Sequence, residues 1–212
     1  MSSKKTNGKD VIKTNGGAIP ISHVVILVGV SGTGKTTVAK QITEEEHERD
    51  NCSCNTAIIC STDKFIDEEA KKLGIPYQKC MENIQKEGRF KEITGKFYDE
   101  IEESIKADKH IIIDRTNLTK GSRKALLGKL SDIHKKYDKN MEVMAVCFNL
   151  TRKQIDEHLS IRELETGKMI PSDVVDKQLE SFEVATKDEG FDFVQYMELT
   201  GDSAVKIRSD AE

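Results

Sequence analysis

The sequence predicts an α/β protein: a mostly parallel, five-stranded sheet flanked by helices, with a helical lid. Three observations lead there. Short runs of β-branched and aliphatic residues, apolar at every position, recur along the chain and read as strands buried on both faces. Longer stretches with apolar residues at helical spacing separate these runs. A glycine-rich loop joins the first run to the first helix. Strands and helices in alternation, with both strand faces buried, mean a parallel sheet with helices on its two sides. The length of 212 residues suits one such domain and can bury a core without disulfide or metal staples.

Residues 1–22 are mostly Ser, Lys, Asn, Gly and Thr and read as a disordered arm. Lys4, Lys5, Lys9 and Lys13 outnumber Asp10, so the arm is either a solvated tail or an electrostatic arm for a phosphate-rich partner. The domain then runs over 23–200. Its first strand is His23 to Val28, followed by the glycine loop and a helix over about 35–49. Further strands are Thr56 to Cys60, His110 to Ile113 and Val143 to Phe148, with a weaker fifth from Phe191 to Leu199. Phe90, Ile93, Phe97, Ile101 and Ile105 mark one helix, and Leu126, Leu127, Leu130 and Ile133 another over about 120–137. Segments 152–165 and 172–187 also read as helices, and 201–212 as a C-terminal tail.

Composition excludes several classes of function. Lys plus Arg number 33 and Asp plus Glu 37, a net charge of −4. A net repulsive field does not suit a nucleic-acid coat or a polybasic membrane binder, although a local basic pocket remains compatible. The negative balance favours a short acceptor or one held only at its end. No apolar run reaches the roughly 18 residues of a membrane span, and no secretory signal is evident, so a cytoplasmic protein is expected. Five cysteines do not read as a disulfide framework. Cys52 and Cys54 form a lone C-x-C without a second ligand pair, so free thiols are the simpler reading. The five histidines show no metal-ligand spacing, and no G-x-S-x-G motif anchors a serine triad.

Gly29-Val30-Ser31-Gly32-Thr33-Gly34-Lys35-Thr36 matches G-x-x-x-x-G-K-[ST] in full, after a buried strand and before a helix. Glycines there let successive backbone N–H groups of Gly29, Ser31, Gly32, Thr33 and Gly34 face a phosphate, and the helix adds its positive end. Lys35 is expected to reach the β- and γ-phosphates. Thr36 is expected to place its hydroxyl on Mg²⁺, with Thr37 beside it in the nucleotide site. This is the phosphate loop of the P-loop NTPase fold, so ATP and Mg²⁺ are the expected ligands. Regulatory GTPase signatures are missing: no N-K-x-D, T-K-x-D or D-x-x-G occurs.

Functional residues in such sheets follow the strands. Asp63, after the second strand, suits a general base that accepts the proton of an attacking hydroxyl. It equally suits an N-cap of the next helix. Asp114, after the third strand, fits a carboxylate that orients Mg²⁺. Thr116 and Asn117 add groups that could bind an acceptor or shape the turn, and Thr119 suits a helix cap. Arg123 reaches either back toward the site or out to solvent. In the lid, about 160–173, Gly167 suits a helix end and Pro171 a helix start. Arg162 and Lys168 are the lid cations available to offset charge on a transferring phosphoryl group.

The order and spacing of these elements resemble the P-loop kinases of the polynucleotide 5′-kinase type, the kinase domains of end-healing enzymes. The matching residues are G-V-S-G-T-G-K-T at 29–36, S-T-D-K-F at 61–65, I-I-I-D-x-T-N-L at 111–118 with Arg123, and the T-G-K-x-I-P-x-D-V segment beginning after Arg162. The resemblance covers about 24–185. It implies ATP-dependent transfer of the γ-phosphate to a hydroxyl, in that family usually the 5′-OH of RNA or DNA. It implies Asp63 as general base, Lys35 and Arg162 as catalytic cations, and Thr36 and Asp114 as metal residues. Asp114, Arg115, Thr116, Asn117 and Arg123 become acceptor-side residues, and a ligase or phosphatase becomes a possible partner enzyme. Two positions depart from the pattern. Ile66 stands where the phage enzymes carry an arginine for the acceptor phosphate, and Leu164-Glu165-Thr166 stands where they carry a second lid arginine. Arg115 is a candidate replacement for one missing cation. These departures open a different polynucleotide end and a second acceptor class, a nucleoside, nucleotide sugar or other small alcohol. A nucleotide-binding adaptor without turnover is a further alternative.

Overall fold

The computed structural model describes residues 11–14, 17–20, 24–49, 57–200 and 204–209, with side chains described over 24–44 and 57–197. Val11–Thr14 (β1) pairs antiparallel with Gly17–Pro20 (β2), a ladder where composition leads one to expect none. The rest of the expected arm, and Cys52 and Cys54, lie outside the described residues.

The main sheet takes Val24–Val28 (β3), Ile58–Cys60 (β4), Ile111–Ile113 (β5), Val143–Phe148 (β6), Phe193–Thr200 (β7) and Ala204–Ser209 (β8) in the order β4-β5-β3-β6-β7-β8. The first five are mutually parallel, as the alternation predicts. The sixth, β8, runs antiparallel along β7, where a C-terminal tail is expected. Its alternation of Val205 and Ile207 with Lys206 and Arg208 is the period of a strand.

Every residue of β3, β5 and β6 is buried. Side chains alternate across the pleat, so β3 divides itself between two cores. Val24, Ile26 and Val28 join the layer of Phe90–Lys106 (α4) and Lys120–Lys136 (α5) through Phe97, Ile101, Leu126 and Leu130. Val25 and Leu27 join Lys35–Arg49 (α1), Arg152–Thr166 (α6) and Ser172–Glu180 (α7) through Val38, Ile42, Ile155 and Val175. Thr62–Leu73 (α2) and Tyr77–Lys86 (α3) form an outcrop beyond β4, closed by Ile66, Ala70, Cys80, Ile84 and Ile93.

Helix α7 stops at Glu180, well before the 187 expected from sequence. The chain leaves the helix because its carbonyls are needed elsewhere: those of Glu183 and Val184 accept from Arg123, and the Glu183 amide donates to Leu118. A 3₁₀ turn at Lys187–Glu189 follows. Among the described residues, no helix is long and apolar enough to cross a membrane.

Candidate functional site

The phosphate loop leaves β3 at Gly29, whose amide donates to the Thr116 carbonyl at 2.9 Å. A Cβ there would lie 3.0 Å from Phe148 Cβ and 3.0 Å from Thr33 Oγ1, so only glycine fits without displacement. Gly32 and Gly34 both hold φ +86°, the left-handed region that glycine enters freely. At Gly32 a Cβ would also meet Leu159 of α6 at 2.7 Å. Thr33 Oγ1 donates to Val30 O at 2.8 Å and steadies the turn.

Lys35 opens α1 and is 7% exposed. Its Nζ donates to Val30 O at 2.7 Å and lies 3.4 Å from Thr33 Oγ1. Burial pushes its ammonium down to about 8; Asp114 pulls it up, Arg162 pushes it down and Asp63 pulls it up. Those four groups therefore share one electrostatic neighbourhood. Thr36 Oγ1 donates to Asp114 Oδ2 at 2.7 Å, and Thr37 follows on the exposed side of α1. Burial raises the Asp114 carboxyl, opposed by the Thr36 hydrogen bond and by the charges of Lys35 and Arg162.

Asp63 is not the N-cap of α2. Ser61 is, its hydroxyl accepting from the Asp63 amide at 3.3 Å. The Asp63 side chain is thereby free of the capping role and lies within reach of the Tyr77 hydroxyl. Burial, then the Asp63 charge and hydrogen bond, push the Tyr77 phenol well above its ordinary value.

Helix α6 lies over the loop. Ile155, His158, Leu159 and Arg162 fall at i, i+3, i+4 and i+7, one face of a helix. Ile155 is buried, Leu159 packs on Gly32, and His158 Nδ1 is 2.9 Å from Gly32 O. The helix ends at Gly167 in the left-handed region, and α7 begins after Pro171, both where the sequence places them. From α7, Gln178 Oε1 accepts from the Ser31 amide at 2.8 Å. Lys168 is occupied elsewhere, 2.6 Å from Asp67 Oδ2 and 4.3 Å over the Tyr77 ring. Of the two lid cations, Arg162 is the one that acts on Lys35 and Asp114.

The residues after β5 separate into distinct jobs. Asn117 takes φ +46° and its buried amide donates to Leu27 O at 2.8 Å, binding the turn to β3. Thr116 supplies the carbonyl that holds Gly29. Arg115 lies 5.0 Å over the Phe97 ring and lines a cavity of about 260 Å³ with Tyr98, Thr116, Thr119, Ser122 and Ser181. Thr119 caps α5 in a reciprocal box with Ser122. Arg123 reaches neither an acceptor nor solvent, contrary to both expectations. It is fully buried, forks onto Glu189 at 2.7 and 2.8 Å, and donates to the carbonyls of Asn117, Leu118, Glu183 and Val184. Every guanidinium donor is spent on the protein, so nothing remains for an acceptor.

Sequence reasoning missed Tyr77, Asp67, Gln178 and His158. Asp67, one helical turn after Asp63, carried a readable signal; the others come from distant elements. Cys60, Cys80 and Cys147 are buried, and burial pushes Cys60 up to about 12, far from a reactive thiolate.

Comparison with known proteins matches residues 24–185 to the family model of an AAA domain (AAA_33). No curated protein matches. Solved structures that share the fold include the following three. Kti12 of Chaetomium thermophilum in complex with ADP-AlF3 is 12% identical, covering 84% of this chain and 90% of that one, with a TM-score of 0.55. A fungal RNA kinase is 13% identical, covering 84% of this chain but only 38% of that one, with a TM-score of 0.55. The PezAT toxin–antitoxin system of Streptococcus pneumoniae is 18% identical, covering 82% of this chain and 65% of that one, with a TM-score of 0.53. A parallel sheet, a complete phosphate loop at its central strand and a family match over most of the chain agree: the protein belongs to the AAA domain family and has the P-loop NTPase fold.

Proposed function

We propose that the protein is an ATP-dependent phosphotransferase that moves the γ-phosphate to a hydroxyl, with the 5′-OH end of RNA or DNA as its first candidate acceptor. The observation that carries the proposal is that Asp63 and Asp114, which follow β4 and β5, and Arg162 of α6 all act on the Lys35 ammonium that opens α1. ATP fits the loop: the loop amides and the helix end suit phosphate, and among the described residues the buried Lys35 ammonium has only neutral oxygens of its own loop as hydrogen-bond partners. Mg²⁺ fits the hard-oxygen pair of Thr36 and Asp114. When bound, the metal would offset charge on the phosphate oxygens.

The chain's own residues supply the remaining parts. Asp63 accepts the proton of the acceptor hydroxyl as that oxygen bonds to the γ-phosphorus. The bond from phosphorus to the β,γ-bridging oxygen breaks, and ADP leaves. Arg162 and Lys35 offset the charge on the transferring oxygens. Lid helices α6 and α7 hold the loop in shape through His158, Leu159 and Gln178. A kinase of strand ends would work beside a ligase or phosphatase.

One observation favours a second acceptor class. Ile66 is 1% exposed and packs in the α2–α3–α4 core, so the position that carries an acceptor-phosphate arginine in phage enzymes faces inward here. A small alcohol would not need that contact. Incubation with γ-labelled ATP and a panel of 5′-hydroxyl oligonucleotides, nucleosides and sugars separates the readings. Label on the oligonucleotide end supports the first, label on a nucleoside or sugar the second, and label nowhere removes both.

A further inference from the structure

We propose that Tyr77 is a positioning residue that ties Asp63 to the lid, so that closing the lid and aiming Asp63 are one event. The inference rests on the reading of Asp63 as the base. Four side chains carry it. The Asp63 carboxylate lies within reach of the Tyr77 hydroxyl and acts on it. The Tyr77 ring lies beneath the Lys168 ammonium at 4.3 Å, within cation–π range. Lys168 Nζ is 2.6 Å from Asp67 Oδ2. Asp67 lies four residues after Asp63 on α2, on the same face of that helix. The contacts close a ring, from Asp63 through Tyr77 and Lys168 to Asp67 and back to α2.

The ring joins two parts of the molecule. Asp63, Asp67 and Tyr77 belong to the α2–α3 outcrop, whereas Lys168 follows directly on Gly167, the end of α6. The same helix holds the phosphate loop one turn before Arg162, through His158 and Leu159. Arg162 is thus suspended between two anchors, the loop on one side and the contacts of Lys168 with Tyr77 and Asp67 on the other. Movement of Lys168 away from α2 withdraws Arg162 and frees the Tyr77 ring together. Lys168 and Asp67 are partly shielded, with side chains 21% and 33% exposed, so their attraction is damped less than that of a fully solvated pair. Burial keeps the Tyr77 phenol protonated through the neutral range, so it remains a donor to the carboxylate.

Three variants test the tie in the full chain. Asp67→Asn removes the ion pair, Lys168→Met removes the ion pair and the charge over the ring, and both keep the tyrosine. Tyr77→Phe removes the hydroxyl and keeps the ring for Lys168. Amide hydrogen exchange over residues 163–171 is expected to speed up about tenfold in the first two and to change less than about twofold in Tyr77→Phe. Transfer from labelled ATP to a 5′-hydroxyl oligonucleotide, or to whichever panel acceptor takes label, is expected to lose about tenfold in kcat in Tyr77→Phe, with the KM for ATP unchanged. A purely structural tyrosine would lower thermal stability without that split. Unchanged lid exchange in Asp67→Asn and Lys168→Met overturns the tie, as does unchanged kcat in Tyr77→Phe. The exchange arm needs no turnover. A wild-type protein that labels no acceptor sinks the kinase reading, and exchange still decides whether Lys168 pins the lid.

Discussion

Thr36 Oγ1 donates to Asp114 Oδ2 across 78 residues of sequence, linking the first turn of α1 to the end of β5 at 2.7 Å. The contact sets two oxygen donors side by side at the mouth of the phosphate loop. It also offsets part of the burial that pushes the Asp114 carboxyl up.

If this pair holds the metal, Asp114→Asn should raise the Mg²⁺ concentration for half-maximal turnover by about 10–100-fold, the usual scale for disturbing a metal's surroundings. Affinity for metal-free nucleotide should change little. Titration of turnover and of nucleotide binding against Mg²⁺ measures both; equal Mg²⁺ dependence in variant and wild type would remove Asp114 from the metal site.

Lys35 predicts a pH dependence. Its ammonium is pushed down to about 8 by burial, and phosphate binding needs the charged form. ATP affinity should therefore fall as pH rises through 8, and binding near that pH should take up a proton. Calorimetry in buffers of different ionisation enthalpy reads the uptake directly. Lys35→Met should bind ATP much more weakly and show no uptake.

Gly32 and Gly34 share the same φ but not the same surroundings. Gly34→Ala meets open space and bears only the cost of a left-handed backbone, about 1 kcal/mol. Gly32→Ala adds a collision with Leu159 at 2.7 Å and should cost clearly more. Leu159→Ala in the same chain should recover part of the difference, measured as coupling in a double-mutant denaturation cycle.

Arg123 is expected to act on stability. Arg123→Met leaves Glu189, 6% exposed at its side chain, without its partner, at a cost of about 3–5 kcal/mol. Burial pushes Glu189 up, but the Arg123 hydrogen bonds, the Thr186 amide and nearby cations outweigh it and hold the carboxyl below its ordinary value. A depressed carboxyl stabilises above its unfolded value, near about 4.3, and that contribution disappears as pH falls through the folded value. Urea denaturation against pH should show Arg123→Met losing less stability than wild type below about pH 4. The variant's KM for an acceptor should match wild type, because Arg123 has no donor to offer one.

Most of the fold was legible because its signals are local. β3, β5 and β6 announce themselves as apolar runs, and Gly29 to Thr36 specify the loop residue by residue. Gly167 and Pro171 mark the helix ends of the lid for steric reasons visible in sequence. What stayed hidden depends on distant partners. The early end of α7 follows from the demands of Arg123, and the burial of Arg123 follows from Glu189, 66 residues away. Asp63 could be a cap or a base from its position alone; Ser61 settles the cap. Tyr77 gave no signal, since a tyrosine opening a helix is ordinary until Asp63 and Lys168 are seen on either side of it.

The central claim is that Asp63 takes the proton of the acceptor. Its most direct test is Asp63→Asn in a single-turnover assay with saturating γ-labelled ATP and the acceptor that the panel identifies. ATP affinity should stay within about threefold of wild type, and transfer should slow at least about a hundredfold. Transfer at the wild-type rate would contradict the claim.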